Sequence, residues 1–113
     1  MTQKDTLRQV AAETRNLHKA IPDVMTAFHG LVQSASKDGV LSARAKELTA
    51  LAIAVAMRCE GCIVYHVSNA IRHGASRAEV AETLGVAIEM GGGPATVYGG
   101  KALAAFDELS GGA

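Results

Sequence analysis

Apolar residues recur at helical spacing along most of the chain, and short breaks divide the pattern into six segments. Pro22 suits the first turn of a helix, and after it apolar residues return every three or four positions as far as Lys37-Asp38-Gly39, where the Asp-Gly pair predicts a turn. Before the proline, residues 4–18 form a weaker amphipathic segment. The first third of the chain is therefore predicted to form two helices.

The third segment is apolar almost all round. Ser42 is a suitable N-cap for a helix that runs to about Met57, and the lack of a polar side predicts a place at the centre of the domain. A break at residues 58–61 follows. The next helix is expected to run to His73 and to be stopped by Gly74.

Two further helices complete the pattern. Ser76 and Glu79 form a capping box at the start of the fifth helix, and a Gly-Gly-Gly-Pro run at residues 91–94 ends it. The sixth helix is expected to end near Leu109. Because the chain is rich in alanine and only 4% aromatic, the composition also favours helices. We predict an all-α fold with one domain over residues 1–113.

Composition and charge exclude several classes of function. The formal net charge is zero and no basic run stands out, which argues against a nucleic-acid partner. The longest apolar run, Ala50 to Met57, is too short to span a bilayer, and the polar start does not resemble a signal peptide. We therefore expect a cytoplasmic protein without a membrane partner. In that compartment two cysteines three residues apart are more often redox-active or metal-binding than structural.

The segment from residue 59 to residue 66, CEGCIVYH, carries the candidate chemistry. Cys59, Cys62 and His66 follow a spacing of three and then four residues, which on a helix presents two thiols and an imidazole on one face. A thiol attacks a peroxide as thiolate, and a neighbouring imidazole can accept its proton. The second thiol can then condense with the resulting sulfenic acid to form a disulfide, which an external dithiol reduces.

Glu47 is the next candidate, since it is the only charged residue between Lys46 and Arg58. If the helices on either side of residues 57–59 pack antiparallel, Glu47 lies roughly 13 to 15 Å back from the turn and His66 roughly 9 Å forward from it, at about 1.5 Å per residue. The offset of about 5 Å is within reach of the two side chains or of one bridging water. The spacing predicts a relay from Glu47 through His66 to Cys62.

These four residues resemble the Glu…Cys-x-x-Cys-x-x-x-His pattern of the AhpD-like alkylhydroperoxidases, which belong to the carboxymuconolactone decarboxylase superfamily. The flanking stretches at residues 44–48 and 70–76 are similar too. The likeness covers roughly residues 20 to 105. It departs from the family at one point, because AhpD carries a second histidine just before the latter cysteine, where this chain has Gly61.

The resemblance implies an AhpD-like helical bundle that assembles as trimers or hexamers. It implies that Cys62 attacks a hydroperoxide substrate, that Cys59 resolves the product and meets the reductant, and that His66 and Glu47 form the proton relay. No cofactor is expected to be bound. The reductant is expected to be an external dithiol, which in the best-known members is protein-bound dihydrolipoamide, and a peroxiredoxin is a possible client.

Other interpretations of the same residues stay open. The pair could serve a general disulfide reductase or a redox sensor, and the superfamily also contains decarboxylating lyases, for which Arg58 is the only close candidate anion ligand. A zinc site would need a further ligand such as His73, and two buried structural cysteines are the simplest alternative. Position at the helix start favours Cys59 as the more acidic thiol, whereas the family and the spacing to His66 favour Cys62.

The remaining titratable side chains have no predicted role. Tyr65 is expected to pack beside the motif. Three histidines are expected at the surface and two arginines are expected to be solvated: His18, His29, His73, Arg72 and Arg77.

Overall fold

The computed structural model describes residues 2–111, and the prediction of an all-α fold of six helices is confirmed. No strand occurs in this part of the chain. The helices are α1 (Gln3–Ala20), α2 (Pro22–Ser36), α3 (Ala43–Ala56), α4 (Glu60–Arg72), α5 (Arg77–Gly91) and α6 (Gly93–Leu109).

Helices α3 to α6 pack against one another and enclose the core. The core is built from small and branched aliphatic side chains together with Phe106, as the scarcity of aromatic residues requires. Its largest fully buried members are Leu51, Ile63, Val55, Val64, Val67 and Val80. The site described below lies where α3 and α4, which join through a three-residue turn, face each other.

Helix ends follow their sequence signals closely. Ser42 caps α3 by accepting a hydrogen bond from the Ala45 N–H, and Ser76 and Glu79 form the predicted capping box of α5. Gly74 has φ 84°, a left-handed conformation that favours glycine, and it ends α4 as predicted. These signals act within one turn of helix, which explains why the sequence alone locates them.

Two helices leave apolar side chains exposed, and for α3 this corrects the predicted place at the centre of the domain. The α2 segment is a helix, but none of its residues is buried, and Val24 and Leu31 are each 62% exposed. Helix α3 buries only one side, because Ile53 is 54% exposed and Met57, just beyond its end, is 73% exposed. The apolar pattern that predicted a central position for α3 therefore serves the core on one side and leaves apolar surface on the other.

None of the helices within residues 2–111 is both long and apolar enough to cross a membrane.

Candidate functional site

The two cysteines lie at the start of α4 and form a disulfide. Their Cα atoms are 5.2 Å apart, and Cys59 is the N-cap residue, so α4 begins at Glu60, two residues earlier than a break at residues 58–61 implies. The Cys59 Sγ accepts a hydrogen bond from the Cys62 backbone N–H at 3.3 Å. Cys62 is exposed and Cys59 is partly buried. The pair therefore combines an accessible residue with one that occupies a capping position.

The turn before the disulfide has an unusual residue at its centre. The Arg58 N–H donates to the Val55 carbonyl and the Cys59 N–H to the Ala54 carbonyl, which is the Schellman pattern for a helix C-terminus. The same pattern surrounds Gly74, but here the left-handed position is taken by Arg58, with φ 58°. A non-glycine residue in this conformation costs about 1 to 2 kcal/mol, so the turn that presents Cys59 is strained.

Glu47 and His66 are in direct contact across the α3–α4 pair. The distance from the Glu47 Oε1 to the His66 Nδ1 is 2.8 Å, and Glu47 is only 6% exposed. This contact joins residues on opposite sides of the turn at 57–59, which shows that the two helices run antiparallel. The predicted reach between the two side chains is therefore confirmed. A buried carboxylate held on one ring nitrogen orients the imidazole and fixes which nitrogen stays available.

The geometry between His66 and the sulfur atoms is less direct. Cys62 and His66 lie one turn apart on α4, as the spacing predicts. In the disulfide form, however, no hydrogen bond joins His66 to either sulfur within the described part of the chain. The structure thus brings Glu47 and His66 together and places the imidazole one helical turn from the exposed cysteine.

The first helix explains why the chain has glycine at position 61. A Cβ atom built on Gly61 would lie 3.0 Å from the Val10 Cγ2, because α1 crosses the start of α4 at this point. A larger side chain would require α1 to move. The departure from the AhpD pattern therefore goes with a specific packing contact.

The charge beside the cysteines is partly balanced. The Glu60 carboxylate lies 3.8 Å from the Lys101 Nζ, across the contact between α4 and α6. An exposed ion pair of this length contributes little to stability, but it places a cation close to the carboxylate that flanks both sulfurs. Within residues 2–111 no group of three His, Cys, Asp or Glu side chains has a geometry that could hold a metal ion.

A pocket of about 340 Å³ opens on the other side of the Glu47–His66 pair. Its wall includes His29, Arg72 and His73, which are exposed, as the sequence predicts, and which border this common pocket. Its other lining residues are Val32, Gln33, Ala35, Ser36, Lys46, Ala50, Tyr65 and Asn69.

One sequence signal could have found part of this wall. His66, Asn69 and His73 follow Cys62 at the four-, seven- and eleven-residue spacing of a single helix face. The contribution of His29 comes from α2, which meets α3 only through the tertiary fold, and no local pattern reports it. Arg58 does not line the pocket, whereas Arg72 does.

Comparisons with known proteins agree with this picture. Residues 22–108 match the sequence model of the carboxymuconolactone decarboxylase family. An uncharacterised protein of Cupriavidus necator is 45% identical over 107 residues, which cover 95% of each chain. Another, an uncharacterised protein from the cox locus of Paracoccus denitrificans, is 39% identical over 99 residues, covering 88% of this chain and 86% of the relative.

Two solved structures have the same fold. A carboxymuconolactone decarboxylase family protein of Legionella pneumophila superposes with a TM-score of 0.92 at 42% identity and 96% coverage of both chains. A family protein of Thermotoga maritima, described with a suggested part in an antioxidative response, gives a TM-score of 0.80 at 27% identity and 90% coverage of both.

Proposed function

The chain belongs to the carboxymuconolactone decarboxylase family, and from this premise we propose that it is an AhpD-like thiol peroxidase that reduces organic hydroperoxides through the Cys59–Cys62 pair. The observation that carries the proposal is the hydrogen bond that the buried Glu47 carboxylate accepts from the His66 ring, one helical turn from Cys62. A structural disulfide has no need of an oriented imidazole beside it. The suggested antioxidative part of the Thermotoga maritima relative is consistent with this function.

In the proposed cycle, His66 accepts the proton of the Cys62 thiol and the thiolate attacks the outer peroxide oxygen. The O–O bond breaks, the alcohol leaves with a proton, and Cys62 becomes a sulfenic acid. The Cys59 thiol then attacks this sulfur, releasing water and forming the disulfide. An external dithiol donates two electrons and two protons by exchange and restores both thiols.

The assignment of Cys62 as the attacking sulfur has support from exposure and from spacing. Cys62 is the exposed member of the pair and lies four residues from His66. The Cys59 Sγ, at the N-cap position, accepts a hydrogen bond from the Cys62 N–H and lies close to the positive end of the helix dipole. This position stabilises a thiolate on Cys59, the nucleophile that attacks the Cys62 sulfenic acid and closes the disulfide.

The same position supports a second candidate function. A cysteine sulfur that caps a helix N-terminus is typical of proteins that exchange disulfides, because the backbone N–H groups stabilise its thiolate whatever the oxidant is. The chain would then act as a general disulfide reductase or redox sensor that needs no peroxide. The two functions differ in whether His66 and Glu47 are required.

The partners follow from the cycle. We propose a protein-bound dihydrolipoamide or a similar dithiol as reductant, and a cytoplasmic location, where thiols are kept reduced.

We also propose a homo-oligomer, a trimer or a hexamer. Apolar side chains exposed on α2, among them Val24, Phe28 and Leu31, need a cover that one protomer does not supply. Multi-angle light scattering of the purified protein tests the oligomer, and a monomeric mass would contradict it.

Thiol titration tests the peroxidase itself. The reduced protein is mixed with one equivalent of cumene hydroperoxide, and free thiols are counted over time in the wild type and in Cys62→Ser and Cys59→Ser. We expect the wild type to lose both thiols rapidly, Cys59→Ser to form a sulfenic acid that dimedone traps, and Cys62→Ser to react slowly. Thiols that persist for minutes in the wild type would rule out the peroxidase. Rapid reaction of a disulfide substrate in its place would then support the second candidate.

A further inference from the structure

The pocket beside the Glu47–His66 pair carries more positive than negative charge. Lys46 and Arg72 both line it, and Glu47 is its only carboxylate. Within residues 2–111 neither of the two cations has a carboxylate partner, since Lys46 donates to the Lys37 carbonyl at 2.7 Å and Arg72 to the side chain of Asn69. The pocket therefore presents cationic groups whose charge the protein does not neutralise.

Asn69 holds the arginine in place. It is one of two buried polar or charged residues in the described chain, at 7% exposed, and its Oδ1 accepts a hydrogen bond from the Arg72 guanidinium. The Asn69 amide nitrogen makes no hydrogen bond within the described residues, although the side chain lines the pocket. A buried amide that holds one nitrogen of a guanidinium orients the other N–H groups and leaves them available to donate to a ligand.

The rest of the wall suits an organic anion rather than a small inorganic one. Val32, Ala35 and Ala50 provide apolar surface, and the volume of about 340 Å³ is within the range of pockets for small organic molecules. Inorganic phosphate would leave this apolar surface uncovered, whereas an organic carboxylate can pair with the Arg72 guanidinium and cover it as well. A carboxylate that ends an alkyl chain satisfies both parts of the wall.

We propose that Arg72, held by Asn69, binds the carboxylate of an organic acid whose alkyl chain lies in this pocket. That the acid is a hydroperoxide rests on the proposed peroxidase function. Arg72 is ten residues beyond Cys62 on the same helix, about 15 Å along its axis. The carboxylate and the peroxide group are then separated by a chain of several carbon atoms, as in a fatty-acid hydroperoxide.

The kinetic test compares linoleic acid hydroperoxide with its methyl ester, in which a methyl group replaces the negative charge of the carboxylate. The ratio of their kcat/KM values is measured for the wild type, for Arg72→Gln and for Arg15→Gln. Arg15 is an exposed arginine of α1 outside the pocket, so its variant makes the same change in charge. We expect the acid-to-ester ratio to fall about tenfold to a hundredfold in Arg72→Gln and to stay unchanged in Arg15→Gln. Equal ratios in all three proteins would overturn the proposal.

A binding test separates the pocket from the peroxidase. Calorimetric titration with decanoate, which has no peroxide group, is made on the same three proteins, with Arg72→Lys as a further variant and inorganic phosphate as competitor. Decanoate should bind the wild type and Arg15→Gln alike, Arg72→Lys less tightly and Arg72→Gln least. If none of the proteins turns over peroxide but decanoate affinities follow this order, the proposed carboxylate site is supported and the proposed peroxidase function is overturned. No binding, equal affinities, or displacement by phosphate at similar concentration would overturn the carboxylate site.

Discussion

The Glu47–His66 contact allows a prediction whose size follows from the structure. Glu47→Gln keeps the shape of the side chain and an oxygen that can accept from His66, but it removes the charge. A hydrogen bond to a charged group contributes about 1.5 to 3 kcal/mol and a neutral one about 1 kcal/mol, so the change removes about 0.5 to 2 kcal/mol of interaction with an imidazolium. That interaction forms when His66 takes the thiol proton. We therefore expect the second-order rate with cumene hydroperoxide to fall about twofold to thirtyfold.

The assay is stopped-flow consumption of peroxide by the reduced protein, with alkylation of Cys62 by iodoacetamide measured against pH as a second readout. Glu89→Gln serves as control, because Glu89 is exposed on α5 and forms no side-chain hydrogen bond or ion pair in the described chain. Loss of the relay should move the alkylation profile to higher pH, which a purely structural defect would not do.

A double-variant cycle gives the refuting result. His66→Asn should slow the reaction about a hundredfold or more, as for the loss of a general base. If Glu47 acts only through His66, then Glu47→Gln adds little in the His66→Asn background. If the fold-losses of the two single variants multiply in the double variant, Glu47 takes no part in a relay through His66. The same follows if Glu47→Gln keeps the wild-type rate and only lowers the melting temperature, which would show that Glu47 stabilises the fold.

Three predictions concern stability, and urea unfolding measures each. Arg58→Gly should stabilise by about 0.5 to 1 kcal/mol, since relief of the left-handed strain exceeds the entropy cost of glycine, while Gly74→Ala at the equivalent turn should destabilise. Equal signs for the two would contradict the strain. Gly61→Ala should gain about 1 kcal/mol of helix propensity only when Val10 is also alanine, because its Cβ otherwise meets that valine at 3.0 Å; a gain independent of Val10 would refute the contact. The Ser76 backbone N–H donates to the Glu79 carboxylate and lowers its pKa below the usual 4.5, so the stability that Glu79→Gln removes should be present at neutral pH and be lost as the pH falls through the lowered pKa. A difference that persists in acid would contradict this.

Local signals predicted most of the fold. Ser42, the capping box at Ser76 and the glycine at position 74 each act within one helical turn, so their effect is readable from neighbouring residues alone. The Glu47–His66 contact could be predicted from the sequence for a different reason. Two helices joined by a short turn have almost no choice but to pack antiparallel, and the rise per residue then fixes which side chains meet.

The remaining features depend on how distant segments pack. The amphipathic pattern of α2 shows which face is apolar, but it does not say whether this chain or another one covers that face. The left-handed conformation of Arg58 carries no signal in its residue type, because arginine rarely adopts it. His29 reaches the pocket only through the placement of α2, and so a pattern read one helix at a time misses it.

One helix joins the two halves of the candidate site. The N-terminus of α4 carries the disulfide, its middle carries His66, and its C-terminal turn carries Asn69 and Arg72. Because a helix is rigid over this length, the distance between the reacting sulfur and the proposed carboxylate ligand is fixed by residue count and not by loop conformation. The proposed site would then select an acid by the number of carbon atoms between its carboxylate and its peroxide group. Moving the peroxide group along an acid of constant length and charge should change kcat/KM, because the distance from the carboxylate to the peroxide changes while the apolar contact does not. Equal kcat/KM values for all positions would place the selection in the apolar wall and not in the spacing along α4.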